Sequence, residues 1–174
     1  MSTAVQLIVC GLADVEPLIA VRRPSHMITL LDPASLIETP APLSPERHLR
    51  LGVNDIVEPM DDMVAPDETV VGRILAFGRT WDGERPMLIH CWAGISRSTA
   101  AAFLLACEHS PAADERRIAL ALRKAAPHAS PNRRIVALAD EQMGRGGRMI
   151  AAVEAMGDYD FTVAAPFDFP ARHA

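Results

Sequence analysis

The sequence predicts a single α/β domain with a central, mostly parallel sheet of four to five strands flanked by helices. Two observations lead to this fold class. The chain opens with a strand, a helix and a second strand, an order typical of parallel sheets. Later, a helical pattern lies between two further apolar runs, as a crossover helix between parallel strands would. With 174 residues, 49% of them hydrophobic, the chain can build one such core.

The first half of the chain alternates strands with a helix and a loop. Gln6–Cys10 is a β-branched, apolar run ended by glycine, and Ala13–Val21 has the pattern of a short helix. His26–Leu31 is a second such run, stopped by an Asp-Pro pair. Three prolines within residues 40–45 predict a surface loop. His48–Val53 then forms the third predicted strand, which an Asn-Asp pair ends.

The second half is mainly helical. Asp67–Trp81 has apolar residues near a helical period and is the predicted crossover helix, followed by a fourth strand over Met87–Cys91. Ser98–Glu108 is rich in Ala and Leu, and Ala112–Ala125 is amphipathic. Asn132–Met156 continues in helical style but contains three glycines. A kink or a break into two helices is therefore as compatible with it as one long helix.

Charge and cysteine content exclude several classes of protein. The 17 Lys and Arg residues against 22 Asp and Glu give a net charge of -5, which argues against a nucleic-acid partner. No apolar run approaches the ~20 residues of a membrane span, so we expect no membrane partner. Three cysteines, an odd number, indicate reduced thiols and a cytoplasmic protein. Cys10 and Cys107 lie in apolar stretches and are expected to be ordinary buried thiols.

The segment 90–98, His-Cys-Trp-Ala-Gly-Ile-Ser-Arg-Ser, connects a predicted strand to a predicted helix. Loop amides and a helix N-terminus at such a place converge on an anion, which suits phosphate. The same environment favours the thiolate of Cys91 and makes it a candidate nucleophile. Arg97 can bind two phosphoryl oxygens with its planar fork, and Gly94 allows a close backbone approach.

This pattern of His-Cys, five residues, Arg and Ser resembles the active-site loop of the cysteine-dependent protein tyrosine phosphatase superfamily, especially its dual-specificity branch. Other segments are similar to that branch too. They are Gln6–Asp14, Leu51–Asp55 and Pro131-Asn132. The resemblance implies a phosphatase-like catalytic domain over residues 1–157. Residues 158–174, with three of the five Phe, would form a tail packed on it.

The resemblance also implies a role for each loop residue. Cys91 attacks phosphorus, forms a phosphocysteine and is released by water, with no metal or cofactor. Ser98 stabilises the departing thiolate, His90 orders the loop, and Asn132 hydrogen-bonds to it while capping the next helix. The phosphate-binding residues would be Trp92, Ala93, Gly94, Ile95, Ser96 and Arg97.

The family uses an Asp on a separate loop, some thirty-odd residues before the cysteine, as general acid. Three candidates exist. Asp55 directly follows the third strand in a Val-Asn-Asp context that resembles the start of the acid loop, whereas Asp61 and Asp62 better match the usual spacing. We expect Asp55 to be the acid, which makes this loop a few residues longer than usual.

The expected substrate is a phosphorylated protein, at tyrosine and possibly also at serine or threonine. The loop contains no Lys, whereas phosphoinositide-directed relatives tend to carry basic residues there. Trp92 would line the floor or rim of the pocket. Two alternatives stay open: a phosphatase of a small phosphorylated metabolite or inositol phosphate, and a non-catalytic module that binds phosphoproteins. The remaining histidines lack ligand spacing, so no metal site is expected.

Overall fold

Five short strands lie side by side in one sheet. The strands are β1 (Gln6–Gly11), β2 (His26–Leu31), β3 (His48–Gly52), β4 (Met87–Cys91) and β5 (Phe167–Pro170). Their order across the sheet is β3, β2, β4, β1, β5. The first four are parallel, and β5 runs antiparallel to β1. The computed structural model, which describes residues 5–174, thus has the predicted mostly parallel sheet.

Helices cover both faces of this sheet. They are α1 (Val15–Arg22), α2 (Glu68–Thr80), α3 (Arg97–Glu108), α4 (Glu115–Ala125), α5 (Arg133–Gln142) and α6 (Arg148–Glu154). The first helix packs Val15 and Ile19 against one face of the sheet. The others belong to the larger core on the opposite face, where α3 is buried along almost its whole length.

The structure specifies two C-terminal features that the sequence leaves open. The helical pattern over residues 132–156 is broken into two helices, because Gly144, Gly146 and Gly147 all have positive φ angles. Residues 158–174, expected to form a packed tail, supply the edge strand β5. Its Phe169 is fully buried beside β1. This segment therefore contributes a strand to the sheet.

The parallel direction of β1 to β4 brings their carboxyl ends to one edge of the sheet. Gly11, Leu31, Gly52 and Cys91 end the four strands. The helix α1, which connects β1 to β2, packs on one face of the sheet. The helix α2, which connects β3 to β4, packs on the other face, since the two helices belong to different cores. Ligands of such open sheets bind in the crevice at this edge. Short segments after each strand therefore meet at one place.

Candidate active site

The loop between β4 and α3 wraps into a tight cradle. Gly94 has a φ of +72°, and a Cβ there would lie 2.7 Å from the carbonyl carbon of Cys10, so only glycine fits. Neighbouring segments hold the loop from outside. These hydrogen bonds run from the N–H of Leu12 to the carbonyl of Trp92 (3.0 Å), from Ser130 to Ile95 (2.9 Å) and from Asn132 to Ser96 (3.1 Å).

Cys91 lies at the bottom of this cradle with 3% of its surface exposed. The N–H of Gly94 donates to its Sγ at 3.3 Å, and the Ser98 hydroxyl lies 3.1 Å from the same sulfur. The sulfur also lies close to the first turn of α3, whose N-terminus carries partial positive charge. Contacts of this kind stabilise a thiolate.

The other two cysteines have a different environment. Burial raises the pKa of Cys10 to about 12, and the charges of Asp14 and Cys91 act in the same direction. Burial also raises the pKa of Cys107 to about 12, against the opposing charge of Arg145. Both side chains are therefore neutral thiols at physiological pH, and neither is a competing nucleophile.

Arg97 is 5% exposed and its guanidinium is fixed by the ends of two strands. Nη1 donates to Asp32 Oδ1 and to the carbonyl of Val53, each at 2.8 Å. The buried Nε has no hydrogen-bond partner among residues 5–174. The side chain is thus held at one nitrogen and keeps a donor for a ligand, as a phosphoryl-binding arginine requires.

His90 is fully buried beside Cys91. Its Nδ1 lies 3.1 Å from the carbonyl oxygen of Cys91, and its Nε2 lies 2.7 Å from Thr29 Oγ1. Burial lowers the pKa of His90 to about 4. The hydrogen bond with the Cys91 carbonyl opposes this shift, and the charge of Arg97 adds to it. The imidazole is therefore neutral at physiological pH, which suits a scaffold and not a proton donor.

Asp55 follows β3 and faces the loop. Its Oδ1 accepts hydrogen bonds from Ser96 Oγ at 2.7 Å and from Asn132 Nδ2 at 2.8 Å. The Oδ1 of Asn132 in turn accepts from the N–H of Ile135 and caps α5. One asparagine therefore fixes the start of a helix, the candidate acid and, through its backbone, the phosphate loop.

The loop that carries Asp55 is closed at its base. The N–H of Asn54 donates to the carbonyl of Val64, and the N–H of Val64 donates to Asn54 Oδ1, both at 2.8 Å. Residues 55–63 form a loop between the paired residues Asn54 and Val64. Asp61 and Asp62 lie exposed within that stretch. The structure brings Asp55, and neither of the other two candidates, to the phosphate loop.

A cavity of about 570 Å³ opens at this edge of the sheet. Trp92 stands at its rim with 60% of its surface exposed, and Met63 reaches it from the Asp55 loop. Asp61 and Asp62 do not line it. The lining residues are Asp32, Ser35, Asn54, Asp55, Ile56, Met63, Cys91, Trp92, Ala93, Ile95, Ser96 and Arg97. Residues at or after the ends of β2, β3 and β4 thus form the wall of the cavity.

Sequence reasoning missed three residues of this site. The sequence indicates Asp32 only as the stop after a strand, and it assigns no site role to His48 or Thr29. A signal for Thr29 exists in the sequence, since it interrupts an apolar strand just as His90 does. In the sheet the two lie side by side, in register between β2 and β4.

The described residues contain neither a metal-binding cluster nor a helix that could cross a membrane. Within residues 5–174, no three His, Cys, Asp or Glu side chains come together in a way that could hold a metal ion. Across the same range, every helix is too short or too polar to span a lipid bilayer.

The chain superposes on several solved structures of phosphatases. The chain superposes on DUSP15 with a TM-score of 0.55 and 21% identity, covering 88% of this chain and 92% of that one. It superposes on PTP-2 phosphatase of Cydia pomonella with a TM-score of 0.57 and 17% identity, covering 76% of this chain and 83% of that one. It superposes on PTPMT1 in complex with PI(5)P with a TM-score of 0.55 and 18% identity, covering 79% of this chain and 90% of that one. No family model and no curated protein matches the sequence. The fold is that of the dual-specificity and related protein tyrosine phosphatases.

Proposed function

We propose that this chain is a cysteine-dependent phosphomonoesterase that removes phosphate from tyrosine in proteins through a phosphocysteine intermediate. Phosphoserine and phosphothreonine would be secondary substrates. The observation that supports this most is the meeting of a thiol, a guanidinium and a carboxylate in one cavity. Cys91 and Arg97 come from the segment 90–98 and Asp55 from the loop after β3, and all three line the cavity.

In the first step, Cys91 Sγ attacks phosphorus, the S–P bond forms and the ester P–O bond breaks. Arg97 and the loop amides hold the phosphoryl oxygens and stabilise their charge in the transition state. Asp55 supplies the proton that the leaving oxygen needs. Because its Oδ1 already accepts two hydrogen bonds, the proton belongs on Oδ2.

In the second step, water attacks phosphorus and the S–P bond breaks. Asp55, now a carboxylate, takes the proton from this water. The Ser98 hydroxyl, 3.1 Å from Sγ, donates to the departing thiolate. Phosphate leaves with the enzyme back in its starting state, and no metal ion takes part in either step.

The cavity wall supports an aryl phosphate as the substrate. Trp92, Met63 and Ile56 give it an apolar surface on which a tyrosyl ring can pack. Arg97 is the only cationic side chain among the lining residues of the described chain, and Asp32 and Asp55 add negative charge. Repulsion from these carboxylates disfavours ligands with several phosphates, such as inositol polyphosphates.

A panel of substrates tests this proposal. We expect the highest kcat/KM for a phosphotyrosine peptide, a lower value for the same peptide with phosphoserine, and no turnover by Cys91→Ser. PI(5)P is the ligand bound to the structural neighbour PTPMT1. If it is hydrolysed faster than the phosphotyrosine peptide, the substrate is a phosphoinositide and not a protein. Binding of the phosphotyrosine peptide without turnover of any substrate would identify a phosphoprotein-binding module.

A further inference from the structure

A chain of four buried or half-buried side chains leads away from the back of the phosphate loop. His90 Nε2 lies 2.7 Å from Thr29 Oγ1, which lies 2.7 Å from His48 Nε2. His48 Nδ1 lies 2.9 Å from the hydroxyl of Thr39, in the loop that follows β2. These hydrogen bonds therefore connect the carbonyl of Cys91 to a surface loop across three strands of the sheet, β4, β2 and β3.

The direction of every hydrogen bond in this chain follows from its first member. The Cys91 carbonyl can only accept, so His90 Nδ1 carries the proton. In a neutral imidazole, Nε2 is then an acceptor, and the Thr29 hydroxyl must donate to it. With its proton so used, Thr29 Oγ1 accepts from His48.

The same logic fixes the far end. His48 carries its proton on Nε2, so its Nδ1 accepts from the Thr39 hydroxyl. All four bonds run one way, from Thr39 to the Cys91 carbonyl. Both imidazoles must be neutral for this arrangement, and burial lowers the pKa of each to about 4.

The tautomer of His90 matters because of what its Nδ1 faces. With the proton on Nε2, the lone pair of Nδ1 would point at the Cys91 carbonyl oxygen across 3.1 Å, and two acceptors at that distance repel each other. The end of β4 would shift, and with it the thiol that begins the loop. The Thr29 hydroxyl stabilises the Nδ1-protonated form, since it donates to the buried Nε2, which would otherwise lack a partner.

We propose that Thr29 and His48 are positioning residues for the nucleophile, which act by holding His90 in the tautomer that donates from Nδ1 to the Cys91 carbonyl. The role in turnover rests on the proposed function, whereas the tautomer does not. Neither residue lines the cavity, so both act through His90 and not on the substrate.

The tautomers are tested by nitrogen NMR of the imidazoles in the full chain at neutral pH. We expect His90 to be protonated at Nδ1 and His48 at Nε2. A wild-type spectrum with the His90 proton on Nε2 overturns the proposal, whatever any variant does and whether or not the chain hydrolyses phosphate.

Thr29→Val and Thr29→Ser test the positioning itself. Valine keeps the shape but removes the hydroxyl, and serine restores it. We expect Thr29→Val to mix the His90 tautomers and to slow both iodoacetamide alkylation of Cys91 and kcat by about tenfold or more, with KM little changed. Thr29→Ser should recover wild-type values within about twofold. Thr80→Val, which deletes a hydroxyl at the exposed end of α2, is the matched control.

Unchanged tautomers and an unchanged alkylation rate in Thr29→Val would overturn the proposal. A wild-type chain without phosphatase activity, but with Thr29-dependent alkylation, would refute the proposed function and leave the positioning role intact.

Discussion

Asn132 Nδ2 donates a hydrogen bond to Asp55 Oδ1 at 2.8 Å, across 77 residues of sequence. Ser96 donates to the same oxygen from within the phosphate loop. A carboxylate on an exposed loop is thereby fixed relative to the nucleophile, although nothing buries it. The position of Asp55 is set by these two donors and by the Asn54 pairing at the base of its loop.

Replacement of Asp55 should affect hydrolysis according to the leaving group. Without a general acid, an alkyl phosphate loses about 10²–10⁴-fold in kcat, because its alkoxide departs unprotonated. An activated aryl phosphate should lose far less. Asp55→Ala measured on both substrates checks this. Asp61→Ala and Asp62→Ala are matched controls that should behave like the wild type, and a leaving-group effect in either of them would transfer the acid role.

Asn132 carries two functions that substitution can separate. Asn132→Asp keeps a good N-cap for α5 but cannot donate to Asp55, so we expect near wild-type stability and a fall in kcat of up to about 10²-fold. Asn132→Ala loses both functions and should also cost about 1 kcal/mol in the free energy of unfolding. Urea denaturation and steady-state kinetics on the same preparations measure the two effects. Equal activity of Asn132→Asp and wild type would show that the Asp55 contact is dispensable.

Arg97→Lys should lower kcat/KM by about 10²–10³-fold. An ammonium cannot replace a planar fork that contacts Asp32 and Val53 and, in the proposed mechanism, also binds phosphate. Charge alone is retained, so inorganic phosphate should still inhibit, only more weakly. Steady-state kinetics at several concentrations of inorganic phosphate measure both kcat/KM and the inhibition constant. A variant with full activity would exclude bidentate binding as the basis of the cradle.

The two neutral histidines should make the fold less stable in acid. Burial, reinforced for each by nearby positive charge, lowers the pKa of His48 and of His90 to about 4. In the unfolded chain both bind protons below about pH 6.5. The unfolded state is therefore favoured as the pH falls from about 6.5 toward 4, by up to about 1.4 kcal/mol per pH unit for each group. Thermal unfolding at neutral and acidic pH measures this loss, which His48→Gln should reduce.

Local patterns were enough to predict the sheet and the loop that connects β4 to α3. The strands β1, β2 and β4 are mainly apolar runs, because a strand buried on both faces needs one. The loop residues from Cys91 to Arg97 are contiguous in the sequence. Such features require no knowledge of distant pairing, so the sequence alone indicates them.

Features that depend on distant pairing could not be predicted in the same way. Arg97 meets Asp32 only because β2 lies beside β4, 65 residues apart in sequence. The choice among three aspartates required the Asn54 pairing that closes the loop. The strand β5 is four residues long and ends in proline, so its pairing with β1, and not its composition, makes it a strand.

Hydrolysis of p-nitrophenyl phosphate by the purified chain in EDTA, with Cys91→Ser as control, tests the central role of the Cys91 thiol most directly. We expect turnover that persists in EDTA and disappears in Cys91→Ser, while Cys10→Ser and Cys107→Ser retain it. Wild-type turnover that Cys91→Ser retains, or that EDTA abolishes, would contradict the thiol mechanism.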